Sequence, residues 1–309
     1  SPYFVKSNWK GLYWNIKSKS DTVFSECFSP ILSTGLLKTR CLDLKTSPIG
    51  IFDSGVGGLT VVKSLLERLP DESFVYYGDT AHVPYGNKSR EELFKYAHEI
   101  ISFLLSHNVK TIVVACGTHS SVTLTEIEKD CPIPILGVVK PGARVAARVT
   151  RNGKIGVIAT QATVNSGSYA MNINALEPTH KVFPAACTRF VPLVEAGMLD
   201  GAETSKAVEE YIAPLLQQGI DTLVMGCTHY PFLAPVISDI AGEGVTLVDP
   251  AAETIDELIG ILKKNDLLND IQTSGTREFY VSGNEESFFK VGRLLLGDII
   301  QKVERMNLD

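Results

Sequence analysis

From residue 49 to near the C-terminus, short apolar runs alternate with amphipathic helical stretches, the pattern of βαβ units around a parallel sheet. Ile49 to Phe52 reads as a buried strand, followed by a glycine turn and by Leu59, Val62, Leu65, Leu66 and Leu69 at helical spacing up to Pro70. Phe74 to Tyr77 is the next strand. Ser89 with Glu92 is a capping-box signature for a helix carrying Leu93, Phe94, Ala97, Ile100, Ile101 and Leu104. Thr111 to Ala115 predicts a strand, a helix follows His119, a short strand lies near Ile133 to Leu136, and Pro141-Gly142 predicts a loop. A second series opens with the strand Lys154 to Ala159 and continues through Thr222 to Gly226 and Val245 to Val248. A late strand, Glu278 to Val281, precedes two closing helices.

The two series resemble each other. Lys110 to Cys116 (KTIVVAC) aligns with Asp221 to Cys227 (DTLVMGC) at an offset of 111, and Ile49-Gly50 aligns with Ile155-Gly156 at an offset of 106. Near-equal offsets for two separate strands point to an old duplication, each half an open parallel sheet. Chance similarity between Val/Ile-rich strands is the alternative. Against it, both strands of the longer match end at a cysteine.

Composition fits a soluble, folded protein of about two domains: 309 residues, 44% hydrophobic and 21% charged. The formal charge of −6 has the wrong sign for nucleic acid as a general partner. No apolar run is long enough to span a membrane, so neither partner is expected. Charge is uneven along the chain. Residues 1–47 hold seven basic and three acidic side chains, leaving 22 and 32 in residues 48–309. The opening segment, with Trp9 and Trp14 and no sustained periodicity, reads as an extension that packs on the body through its tryptophans or forms an unstructured leader. It begins at Ser1, so a processed or trimmed start and an organelle-address remnant are both compatible with it. The six cysteines form no CxxC pair, which points to reduced thiols in a cytoplasmic compartment.

Ligands of open α/β sheets bind beyond the carboxyl ends of the strands, so the chemistry is sought there. The ends carry Asp53-Ser54-Gly55-Val56-Gly57-Gly58, Gly78-Asp79-Thr80, Cys116-Gly117-Thr118-His119, Thr160 to Thr163 and Cys227-Thr228-His229. The glycine turn lacks the third glycine of a dinucleotide fingerprint, and no Walker glycine-lysine run is present. The turn reads either as a tight strand-to-helix connection or as backbone N–H groups facing a small carboxylate. A cysteine on an apolar strand is usually a small core hydrophobe, and Cys131 and Cys187 are read that way. Cys116 and Cys227 each end a strand where a helix is expected to begin, which would lower a thiol pKa. Facing each other across a cleft, they suit two-base chemistry, one thiolate removing a proton and the opposite thiol returning one. Asp53 and His229 are candidate proton relays, with Glu195 a candidate partner for the imidazole. A lone Cys227-x-His229 is poor zinc spacing, so no metal is expected, and His229 as a satisfied core histidine is the remaining alternative. No lysine stands out as a Schiff-base candidate, so no cofactor is expected.

Taken together, these motifs resemble the glutamate racemases of the cofactor-independent aspartate/glutamate racemase superfamily. The likeness runs from Ile49 to near the C-terminus. It rests on Phe52 to Leu59, Tyr77 to Ala81 with Pro84-Tyr85-Gly86, Ala115-Cys116, Val191 to Glu195, and Gly226 to Pro231. The resemblance implies two similar, mainly parallel α/β domains related by a pseudo-two-fold axis, with the active site in the cleft between them. The boundaries expected are residues 48–141 with 250–309 for one domain and 142–249 for the other. It implies racemisation of L- and D-glutamate, an isomerase reaction feeding peptidoglycan and the cell wall. Cys116 would act on the D-isomer and Cys227 on the L-isomer. Asp53 would assist Cys116, His229 with Glu195 would assist Cys227, and Asp79 would support the first half-site. Ser54, Pro84, Tyr85, Gly86, Gly117, Thr118, Thr163 and Thr228 would bind substrate.

One departure bears on the substrate. The family pattern places Asn after the first cysteine, where this chain has Gly117, which leaves an aspartate or broad-specificity racemase as the same-chemistry alternative. A non-catalytic ligand-binding or regulatory protein is the alternative from another class, and retention of both thiols argues against it. The partner expected is a small amino acid. A homodimer is expected only from the base rate for soluble enzymes of this size.

Overall fold

The computed structural model describes residues 44–270 and 275–308. Residues 47–309 form one compact unit, distinct from residues 1–46. Trp9, Trp14 and the expected role of the extension therefore lie outside the described residues.

Ten strands are described: β1 (Ile49–Asp53), β2 (Phe74–Gly78), β3 (Thr111–Val114), β4 (Ile135–Gly137), β5 (Lys154–Ala159), β6 (Lys181–Ala186), β7 (Thr222–Met225), β8 (Thr246–Val248), β9 (Arg277–Val281) and β10 (Glu304–Arg305). They make a six-stranded sheet in the order β10-β9-β2-β1-β3-β4 and a four-stranded sheet in the order β6-β5-β7-β8. Every described pairing is parallel. Helices cover the sheets, so β1, β2 and β3 are buried along their whole length. That burial is why they read as continuous apolar runs.

The two sheets repeat one plan. β1 lies between β2 and β3, and β5 between β6 and β7, so each sheet reverses its strand order beside its first strand. Ile49 pairs with Thr111 in one sheet, and Ile155 pairs with Thr222 in the other. These are the residues that the internal alignment matches. The register of the repeat is thus preserved along with its sequence.

Side-chain caps at Ser89, Thr160 and Asn284 open three of the described helices. The Ser89 hydroxyl accepts from the Glu92 N–H at 3.2 Å, and the Glu92 carboxylate accepts from the Ser89 N–H at 2.8 Å, so the capping box opens the helix Arg90–Ser106. Three expectations are corrected. Pro141 and Gly142 lie inside the helix Val139–Val149 rather than in a loop. Pro141 is its third residue, where the N–H would have no intrahelical partner to lose. The chain closes with one α-helix, Glu285–Leu296, then a single 3₁₀ turn and β10, not with two helices. The helix after β3 starts at Gly117, ahead of His119. The edge strand β6 was not expected: it is half-buried at four of its six positions and contains Pro184, a residue that an edge position tolerates.

Candidate active site

The strand ends of both sheets converge on one cavity of about 490 Å³, its open mouth included. Its walls include Ser54 after β1, Tyr85 and Gly86, Cys116 and Thr118 after β3, Thr160 after β5, and Cys227 and Thr228 after β7. No charged side chain is among its lining residues. The three cysteines on the wall are all buried, Cys116 at 4%, Cys187 at 1% and Cys227 at 7% exposure.

The ionisable groups stand behind this wall. Asp53, at the end of β1, is fully buried. One carboxylate oxygen accepts from the N–H groups of Gly55 at 3.1 Å and Gly58 at 2.8 Å, and the other accepts from the Thr228 hydroxyl at 3.2 Å. The Val56 N–H donates to Glu195 Oε1 at 3.4 Å. The glycine turn therefore does face carboxylates, but they are the chain's own, which corrects the expectation of a substrate carboxylate there. Its glycines have a second reason. A Cβ at Gly55 would lie 2.3 Å from Glu195 Oε1, and one at Gly57 would lie 2.4 Å from Thr228 Oγ1 and 2.6 Å from His229 Nδ1. The turn is bare so that groups from the second half can press against it.

His229 is buried between two partners. Nε2 is 2.6 Å from Glu195 Oε1, and Nδ1 is 3.7 Å from Cys227 Sγ. Burial alone would lower its pKa. The hydrogen bonds to Cys227 and Glu195, with the charges of both, overcome burial and hold it well above the ordinary histidine value. Glu195 shows the complement: burial would raise it, but the His229 hydrogen bond and charge, with the Val56 N–H, bring it below the usual carboxylate value. The dyad is an imidazolium beside a carboxylate.

Cys116 differs. The expected lowering of its thiol pKa is contradicted. Burial pushes the thiol far up, the Asp53 charge adds to this, and the N–H groups of His119 and Thr118 offset it only in part. The following helix, Gly117–Val122, has six residues, too few aligned peptide dipoles to reverse the cost of burial. After Cys227 the chain enters a 3₁₀ turn, Tyr230–Leu233, not the α-helix expected there. Burial also raises Asp53, against the His229 charge and the turn's N–H groups.

The remaining candidates divide into wall and support. Asp79 is buried and accepts from Ser282 Oγ at 2.6 Å and from the Tyr85 hydroxyl, with His82 Nδ1 at 2.8 Å. It anchors Tyr85, which lines the cavity with Pro84 and Gly86. Thr118 Oγ1 is 2.9 Å from Thr160 Oγ1, which in turn donates to Thr163 Oγ1 at 3.1 Å. Thr118 and Thr160 reach the cavity; Thr163 supports Thr160 from behind. Gly117 is also absent from the wall, its Cα turned toward the backbone of Gly226. Sequence reasoning named Thr160 and Gln161 only as a strand end, missed Asn87, Thr188 and Val191 as lining residues, and read Cys187 as a core hydrophobe although it lines the cavity. Cys187 and Thr188 follow β6, so missing that strand hid its end. Thr160 and Gln161 follow β5, and the strand-end rule alone singles them out.

Comparison with known proteins agrees with this geometry. The family described as Asp/Glu/Hydantoin racemase matches residues 49–258. A glutamate racemase of Geobacter metallireducens is 44% identical over 261 residues, spanning 84% of this chain and 97% of that protein. Among solved structures, glutamate racemase from Francisella tularensis in complex with D-glutamate superposes with a TM-score of 0.80 at 36% identity, covering 86% of this chain and 99% of that one. A glutamate racemase isoform from Bacillus anthracis gives 0.81 at 38% identity, with 86% and 98% covered.

Proposed function

The chain belongs to the Asp/Glu/hydantoin racemase family, and on that premise we propose that it interconverts L- and D-glutamate by passing the α-proton between two thiols. The product D-glutamate would supply peptidoglycan synthesis. The observation that carries this reading is the placement of Cys116 and Cys227 on one uncharged cavity, each just beyond the equivalent strand of its own sheet. The halves this implies are residues 48–141 with 250–309, which hold every strand of the larger sheet, and residues 142–249, which hold every strand of the smaller.

The α-carbon sits between the sulfurs. Cys227 takes the α-proton of the L-isomer, and the electron pair of the C–H bond moves onto the α-carbon and its carboxylate. Cys116 delivers its S–H proton to the opposite face, and the D-isomer leaves. The D-isomer reacts by the reverse sequence. A thiol held protonated by burial suits Cys116 as the donor in the first direction. The His229 imidazolium, 3.7 Å from Cys227 Sγ, offers a counter-charge to that sulfur, and Glu195 fixes the ring. Asp53 is the nearest anionic relay on the Cys116 side, tied to the second half through Thr228.

Recognition falls to neutral polar groups. Ser54, Thr118, Thr160, Thr188, Thr228, Asn87 and Gln161 line the cavity. Fixed dipoles of this kind bind and orient a charged substrate without needing net positive charge. Glutamate is favoured over aspartate because the relatives at 44–45% identity are glutamate racemases. Gly117 itself forms no part of the wall. Free thiols on the cavity suit a reducing, cytosol-like compartment. Among the described residues no helix is long and apolar enough to cross a membrane.

Optical rotation tests the reading. Starting from either pure enantiomer of glutamate, without added cofactor, rotation should decay to zero. Persistent rotation with glutamate but decay with aspartate would overturn the substrate assignment.

A further inference from the structure

The two cysteine-bearing strand ends touch through backbone. Gly117 follows Cys116 directly, and Gly226 precedes Cys227 directly. A Cβ at Gly117 would lie 2.3 Å from the Gly226 carbonyl oxygen and 3.6 Å from the Cys227 Cα. Gly226 is equally confined, since a Cβ there would lie 2.9 Å from the Tyr169 ring and 3.0 Å from the Ile158 carbonyl. In the β1 turn the close approaches are of another kind. At Gly55 and Gly57 the nearest atom lies at the far end of a side chain, which has rotatable bonds to move it. At Gly117 it is a main-chain oxygen fixed at the end of β7, which cannot.

We propose that the Gly117–Gly226 backbone contact is the stop that sets how closely the two thiols approach, making Gly117 a positioning residue for the two-thiol reaction. The inference rests on the racemase reading above. Each glycine is one residue from its cysteine, so a displacement at the contact passes to both sulfurs with no flexible segment to absorb it. Relieving a 2.3 Å clash to ordinary van der Waals distance requires the strand ends to part by roughly 1 Å. A two-base inversion is sensitive to that change. The carbanion left by one sulfur must be reached by the S–H of the other, and a misplacement of about 1 Å can cost on the order of 100-fold in rate. Gly117, read from the sequence as a lost substrate contact, instead permits the halves to meet without an intervening side chain. The asparagine of the family pattern could not occupy this arrangement unchanged.

The widened gap has its own signature. When the opposite thiol is out of reach, the carbanion is reprotonated by the sulfur that formed it. That sulfur has meanwhile exchanged its proton with solvent. In deuterated water this labels the starting enantiomer without inverting it. The test compares the wild-type chain with G117A and G117N, each checked for folding by its thermal midpoint. For folded variants we expect kcat to fall by about 100-fold, KM to change by less than about 5-fold, and the ratio of deuterium exchange to inversion to rise. The loss in kcat/KM must be equal from both enantiomers, because their equilibrium constant is one. If G117N does not fold, G117A, which adds a single methyl group, decides. A folded G117A with wild-type kcat and a wild-type ratio of exchange to inversion would overturn the proposal while leaving the racemase reading intact. A wild-type chain that racemises neither enantiomer would overturn both.

Discussion

His229 Nε2 lies 2.6 Å from Glu195 Oε1, and this bond joins the 3₁₀ turn after β7 to the helix Phe190–Glu195. It fixes which nitrogen faces the carboxylate and leaves Nδ1 toward Cys227. Because Glu195 raises His229, the E195Q variant should return the imidazole toward its ordinary pKa and lose the counter-charge near Cys227 at a lower pH. The high-pH limb of kcat should move to lower pH, and the maximum should fall by roughly 100-fold, the lower range for a general acid–base contribution. The stability linkage has two signs. The raised His229 contributes fully below its unfolded pKa and loses its contribution as pH rises through the folded value. The lowered Glu195 contributes above its unfolded pKa and loses its contribution as pH falls through the folded value. A pH–rate profile for E195Q with an unmoved high-pH limb would count against the dyad.

The glycine turn gives a second prediction. G57A places a methyl group against Thr228 Oγ1, on the cavity wall, and against His229 Nδ1 behind it. Racemisation should fall at least about 10-fold, through displacement of the dyad, as misplaced catalytic groups lose rate steeply. Steady-state kinetics check this. Wild-type turnover in G57A would show that the turn does not position His229.

His119 titrates oppositely to His229. It is fully buried, with Nδ1 3.2 Å from Thr123 Oγ1 and the ring packed edge-on against Tyr85 and Phe52. Nε2 has no hydrogen-bond partner. Burial lowers its pKa to about 3. A histidine kept neutral in the native state but protonated when unfolded costs stability as pH falls below about 6.5, by about 1.4 kcal/mol per pH unit. H119F replaces the ring with an apolar one of similar size and should flatten that part of the stability curve. Denaturant titrations between about pH 6 and pH 4 measure it. Identical slopes for the two proteins would contradict the assignment, and the pH–rate profile should be the same in both.

How far the sequence disclosed these features depended on the physics behind each signal. Buried parallel strands announce themselves, because β1, β3 and β7 must be apolar on both faces, and the rule that ligands gather at strand ends then led to Asp53, Cys116 and Cys227. The edge strand β6 carries Pro184, which argues against a strand, so its end at Cys187 and Thr188 does not stand out and Cys187 reads as a core hydrophobe. Pairing of His229 with Glu195 was suggested by residue chemistry, but its geometry depends on tertiary contact across 34 residues. The glycine turn was legible as an anion site; that its anions are Asp53 and Glu195 is decided by how the halves meet. The protonation of Cys116 was misjudged for a similar reason. Helix position is local and visible, whereas complete burial beside Asp53 is not.

Two thiols acting from opposite faces of one α-carbon leave a solvent-isotope signature. Each enantiomer of glutamate is incubated in deuterated water with the wild-type chain, C116S and C227S, and deuterium at the α-carbon is followed in both enantiomers. Solvent deuterium is expected in the inverted product of the wild type, with a loss of inversion of at least about 100-fold in each variant. Full racemisation by both folded serine variants, or an inverted wild-type product free of solvent deuterium, would contradict two-thiol catalysis.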